Sequence, residues 1–75
     1  MSKMIPVSGR DMIKALMKLG FWINRWKGSH VIMENGDKII SVSCHSNQTM
    51  PTGTQRAIIK DVGISVDEFN ELLGK

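Results

Sequence analysis

The residues best suited to chemistry in this 75-residue chain stand close together: Arg25, Lys27, Gly28, Ser29 and His30. Near neutral pH an imidazole can take a proton from a ribose 2′-hydroxyl or give one to a leaving 5′-oxygen. Lysine and arginine beside it offset the charge that develops on a phosphate in flight. Gly28 lets the backbone approach a phosphate closely, and Ser29 adds a donor. The plainer alternative for His30 is a surface histidine at a turn. Trp22 and Trp26 flank the same cations. Aromatic platforms among cations hold single-stranded bases. Exposed tryptophans also anchor protein partners, and a different strand register would make one of the two a core residue.

Other constellations are poor. Cys44, His45 and His30 are the only good metal ligands, and no repeated CxxC or HxxxH spacing joins them, so no structural zinc site and no cofactor is expected. His45 follows Cys44 directly and points the other way along a strand, which leaves the thiol without a base. No glycine-rich phosphate loop and no paired carboxylates occur.

The elements that must position the cluster follow from apolar spacing. Ser8 followed by Asp11 is a capping pattern. Behind it Met12, Ile13, Leu16, Met17 and Leu19 form an apolar stripe, with Arg10, Lys14 and Lys18 as a basic ridge opposite and Gly20 as the stop. Phe21 to Trp26, His30 to Met33 and Lys38 to Ser43 read as strands. They are joined by Lys27-Gly28-Ser29 and by Asn35-Gly36, a strong hairpin signal. Cys44 to Pro51 is a loop. Thr52 to Gln55 reads as a capping box that opens a helix to Val62, with Gly63 as stop. Ser65 and Glu68 open a last short helix.

The expected fold class is therefore α+β, a single domain over residues 1–75. Its three-stranded antiparallel sheet carries helices on one face, in the order α-β-β-β-α with a short extra C-terminal helix. A two-residue Asn35-Gly36 turn pairs Val31 with Ile40 and His30 with Ser41. A three-residue Lys27-Gly28-Ser29 loop pairs Trp26 with His30. Alternation then puts Phe21, Ile23, Val31, Met33, Ile40 and Val42 under the helices. The open face receives Trp22, Asn24, Trp26, His30, Ile32, Ile39, Ser41 and Ser43.

Composition narrows the class further. Hydrophobic residues make up 41% and charged ones 23%, close to a globular average. Such a length excludes a doubly wound dinucleotide fold and a (β/α)₈ barrel. Total stability should be about 4–11 kcal/mol. No apolar run nears a bilayer span, Met1 to Pro6 does not read as a signal peptide, and Cys44 is the one cysteine, so the expected place is the cytoplasm. Residues 1–30 hold six basic residues against Asp11 alone, a balance of +5, while residues 61–75 hold four acids against Lys75, a balance of −3. A basic front suits a polyanionic partner.

Ser8-Gly9 opening a helix, then Gly20-Phe21, Arg25 and Lys27-Gly28-Ser29-His30, resembles the HicA family of mRNA-interferase toxins. His45-Ser46-Asn47, Pro51-Thr52-Gly53-Thr54 and Ile58 to Ser65 match the family's second half. Two positions depart from its usual pattern: Ser43-Cys44, where a proline commonly precedes the second histidine, and Trp26, commonly polar. The resemblance implies a double-stranded-RNA-binding-like fold and ribosome-independent cleavage of RNA without metal, with His30 in the catalytic position. It also implies a HicB-type antitoxin that covers that histidine.

Together these lines lead to the toxin of a type II toxin-antitoxin system, an endoribonuclease acting on single-stranded mRNA. His30 is the general acid or base; Arg25, Lys27, Gly28 and Ser29 bind the phosphate. His45 is a second proton-transfer group, a substrate contact or a loop-shaping residue. Trp22 and Trp26 are the antitoxin contacts. The protein is expected as a monomer alone or a hetero-oligomer with its antitoxin, away from membranes. The alternatives are a non-catalytic RNA-binding module of the same fold and a protein-interaction domain using its tryptophan face. Ser29-His30 favours catalysis over the first, and the basic ridge disfavours the second.

Overall fold

The computed structural model describes residues 3–44 and 48–74. The chain runs α1 (Gly9–Lys18), β1 (Trp22–Lys27), β2 (His30–Asn35), β3 (Lys38–Ser43), α2 (Thr52–Val62) and α3 (Val66–Leu72). The strands form one antiparallel sheet in the order β1-β2-β3. The expected fold class and element order are both observed.

Each helix begins and ends for a local reason. Ser8 Oγ accepts the Asp11 N–H at 3.2 Å and starts α1. The helix closes in a Schellman motif, in which Gly20 N–H donates to Met17 O and Phe21 N–H to Leu16 O, with Gly20 at φ 95°. Ser65 and Glu68 make the full reciprocal capping box of α3. Helix α2 ends at Gly63, in the left-handed conformation. Lys38 Nζ donates to the carbonyls of Asp61 and Val62 there, and Lys18 Nζ donates to Leu72 O at the end of α3. Cations at helix C-termini satisfy carbonyls and favour the dipole.

The core lies between one sheet face and the helices. Met12 and Leu16 of α1, Val31 and Met33 of β2, Ile40 and Val42 of β3, Ile58 and Ile59 of α2 and Phe69 of α3 are all buried. Two expectations for the helices are corrected. Met17, assigned to the apolar stripe, is 53% exposed, and Gly9 and Ala15 are buried instead. The capping box at Thr52 is not made: Pro51 precedes α2 with no side-chain cap. Gln55, its expected partner, is fully buried. Its Nε2 donates to Ile5 O at 2.7 Å and its Oε1 accepts Val7 N–H at 3.3 Å. A buried amide satisfied on both sides clamps the N-terminal segment to α2, and that outweighs a local cap.

Both hairpin registers differ from expectation, with different consequences. The β2–β3 turn is Gly36-Asp37, so Asn35 pairs with Lys38, Val31 with Val42 and His30 with Ser43. Asn35 leaves the turn centre to the strand and donates its amide to Leu19 O at 3.3 Å. The slip is of two residues, an even number, so every side chain keeps its expected face. The β1–β2 turn is Gly28-Ser29 and pairs Lys27 with His30, Trp26 with Val31 and Arg25 with Ile32. Ile23 then pairs with Met33, because a bulge between Ile23 and Arg25 absorbs one residue. The turn, one residue shorter than expected, moves Trp26 off the open face to the helix side and brings Arg25 and Lys27 onto it; the bulge returns Ile23 and Trp22 to their expected faces.

Candidate functional site

Cross-strand partners share a face, so the register writes the open face as three rows. The first is Lys27, His30 and Ser43; the second Arg25, Ile32 and Ser41; the third Trp22, Glu34 and Ile39. Successive rows stand two residues apart, which places the third about 13 Å from the first. The face is therefore polarised. Its turn end carries cations, an imidazole and a hydroxyl, and its far end carries exposed Trp22 and Ile39.

The turn end is held by backbone from three directions. Gly28, at φ 63°, makes the two-residue turn, and a Cβ there would meet nothing within 4 Å. Conformation and not space demands the glycine, and the ground above it is open. Cys44 N–H donates to Ser29 O at 2.8 Å, which ties the end of β3 to the turn. From beneath, the first turn of α1 presses on the same strand end. A Cβ on Gly9 would overlap Ser43 O and come within 2.8 Å of Cys44 Cα. Gly9 thus sets how closely α1 approaches the strand that backs His30. A glycine inside the first helical turn, where propensity argues against it, was the signal for this contact.

His30, Lys27 and Arg25 are exposed and Ser29 is half-buried. Beside Ser43 a depression of about 340 Å³ opens between Gln48, Thr49, Met50, Pro51 and Thr54. It extends the row at the β3 edge and borders the entry of α2. An exposed imidazole between an ammonium and a hydroxyl, with a guanidinium one row away, suits a phosphodiester. The imidazole moves a proton and the cations meet negative charge.

Of the residues singled out in the sequence, Arg25, Lys27, Gly28, Ser29 and His30 come together on one end of one face. Trp22 lies on that face at the opposite end. Trp26 lies on the other face, which corrects its expected place beside His30; the two-residue Gly28-Ser29 turn is the cause, and the Asn24 bulge keeps Trp22 on the open face. His45 falls outside the described residues. Cys44 is a half-buried free thiol packed against the core, its plainer role. Among the described residues no three His, Cys, Asp or Glu side chains converge as a metal site would require. Among them, too, no helix is long and apolar enough to cross a membrane.

The family model for the HicA toxin of bacterial toxin-antitoxin systems matches residues 9–64. This stretch runs from the glycine under Ser43 to the end of α2 and includes every residue of the three rows. No curated protein matches the chain.

Proposed function

From the premise that the chain belongs to the HicA toxin family, we propose that it cleaves mRNA at the Lys27–His30–Ser43 end of the open sheet face. The family carries the toxin role and, at a coarse level, a nuclease one. The finer assignment is drawn from this geometry.

The observation that carries it is the register. The two-residue Gly28-Ser29 turn pairs Lys27 with His30 and Arg25 with Ile32, so one proton-transfer group and two cations address the same space. In the proposed reaction the ribose 2′-oxygen attacks the adjacent phosphorus and loses its proton, and the bond to the 5′-oxygen breaks as that oxygen gains one. The products are a 2′,3′-cyclic phosphate and a 5′-hydroxyl. His30 handles one of these protons, as base or as acid. Lys27 and Arg25 stabilise the charge that gathers on the non-bridging oxygens, a contribution made largely in the transition state. The reaction uses the substrate's own hydroxyl as nucleophile and assigns no step to a metal.

A HicB-type antitoxin would block this end by lying along the open face. Trp22 and Ile39, 49% and 66% exposed, form an apolar anchor at the far row, and Arg25 and Lys27 meet acidic side chains nearer His30.

The test is cleavage of a single-stranded RNA by wild type and His30→Ala, with product ends identified. A 2′-deoxy residue at the scissile position should block the reaction. A folded His30→Ala protein that cleaves as well as wild type removes the assignment.

A further inference from the structure

On the helix side of β1, away from His30, a groove of about 270 Å³ lies between α1 and the sheet edge. Arg10, Ile13 and Lys14 wall it from the helix, Ile23 and Trp26 from the strand. Ile13 is 8% exposed and forms the floor; Trp26, 55% exposed, forms the outer wall. Arg10 and Lys14 stand one helical turn apart and emerge on the same side. Among the described residues neither has an ion-pair partner. Trp26 is followed directly by Lys27, whose side chain belongs to the His30 row. Trp26 of the groove and Lys27 of the catalytic row are thus adjacent residues on opposite faces of one edge strand, their Cα atoms about 3.8 Å apart.

We infer that this groove is a subsite for a nucleotide of the same RNA strand, outside the scissile bond. A base stacks on the Trp26 indole above Ile13 and Ile23, and its flanking phosphates meet Arg10 and Lys14. The inference rests on the reading of His30 as an RNA-cleaving centre and extends it around the edge of β1. Three features favour RNA over a protein segment. Five residues line the groove, whereas a stable protein interface takes about 20–30 a side. Both cations lie beside one exposed aromatic plane, the arrangement that binds a stacked base and its phosphates. And the five lining residues include no acid, while Arg25 and Lys27 stand on the other face of the same edge strand. Every base has a π-face, so the subsite adds affinity and no sequence preference.

The experiment titrates wild type, Trp26→Ala, Trp26→Phe and the double variant Arg10→Ala/Lys14→Ala with single-stranded RNAs that are 2′-O-methylated throughout and so resist cleavage. A trinucleotide and a dodecamer are compared, and circular dichroism checks each fold. Trp26→Ala should weaken dodecamer binding about 10-fold, within the range for one lost base stack. It should leave the trinucleotide unaffected, and Trp26→Phe should restore most of the loss. The double variant should reduce the salt dependence of dodecamer binding by roughly 0.7 log units per decade for each phosphate contact removed. In a background where Trp22→Phe leaves Trp26 as the one indole, the dodecamer should quench its fluorescence. Folded Trp26→Ala that binds the dodecamer as wild type does, while unmodified RNA is still cleaved, overturns the subsite and leaves the His30 assignment standing. A wild type that neither binds nor cleaves RNA removes both. Loss of antitoxin binding with RNA binding intact would make the groove a protein site and overturn the proposal.

Discussion

The two hairpins of this sheet share a strand and differ in almost everything else. The β2–β3 hairpin runs six pairs without irregularity, and Val31, Met33, Ile40 and Val42 from it are all in the core. Strand β1 is bulged, and all six of its residues are exposed. A strand with a buried face cannot accept an extra residue, because a one-residue slip turns its apolar set to water. A strand without one can take the bulge, which here lets Ile23 keep the helix side while Arg25 and Lys27 share the face of His30. The inner hairpin supplies the core, and the outer one carries the cations of the proposed site.

Deleting a residue from each hairpin breaks this contrast most severely if it is wrong. Removing Ser41 forces Ile40 or Val42 out of the core. Each loss costs about 1.5–3 kcal/mol of burial, plus the cavity left behind, against a total stability of about 4–11 kcal/mol. The variant should lose its cooperative thermal transition, and retention of it would show the inner register to be slack. Next in size is the chemistry of the outer hairpin. His30→Ala should lower the RNA cleavage rate by about 10²–10⁴-fold while urea denaturation shows stability changed by less than about 0.5 kcal/mol. A large loss of stability would place His30 with the scaffold.

Smaller effects sharpen the comparison along the open face. Trp22→Ala should weaken binding of the antitoxin by about 2 kcal/mol, roughly 30-fold, read by calorimetric titration. An unchanged affinity would move the antitoxin off this face. The smallest effect belongs to the bulge itself. Deleting Asn24 removes the unpaired residue and leaves Ile23 opposite Met33 and Arg25 opposite Ile32. The sheet should keep its faces, its stability should shift by about 1 kcal/mol or less, and cleavage should remain within a few-fold of wild type. A deletion of Asn24 as damaging as that of Ser41 would erase the distinction between the hairpins.

Much of this was legible in the sequence, for reasons that also explain the rest. Element order followed from apolar spacing and from caps at Ser8, Gly20, Gly63 and Ser65, all local signals. The buried face of β2 and β3 survived a wrong turn assignment because the error was even. The face of Trp26 did not survive, because a two-residue turn in place of three is an odd slip; the bulge that restores the register at Ile23 falls on Asn24, which carries no signal that distinguishes it from an ordinary strand residue. Gln55 was misread for a related reason. Spacing from Thr52 suggested a cap, but its partners, Ile5 and Val7, are remote in sequence. At the site, the Arg25–His30 cluster was legible from residue types, while the two-residue turn that unites it on one face was not. Gly9 enters the sequence only as part of a motif, since its use depends on the approach of Ser43 across the fold.

The clamp at Gln55 also sets a timetable. Its hydrogen bonds reach back 50 and 48 residues to Ile5 and Val7, and Met50 N–H closes on Val7 O at 2.9 Å. A chain emerging N-terminus first therefore carries residues 5–7 unmoored until α2 has been made. Helix α1, capped by its own Ser8 and stopped by its own Gly20, needs no such wait. Closures over so long a stretch are slow to form compared with hairpins and single helices. In pulsed hydrogen exchange the Val7 amide should gain protection together with α2, later than the amides of the β2–β3 hairpin; earlier protection would contradict this order. The seam between residues 5–7 and α2 thus closes only when the last third of the polypeptide has folded back onto the first few residues.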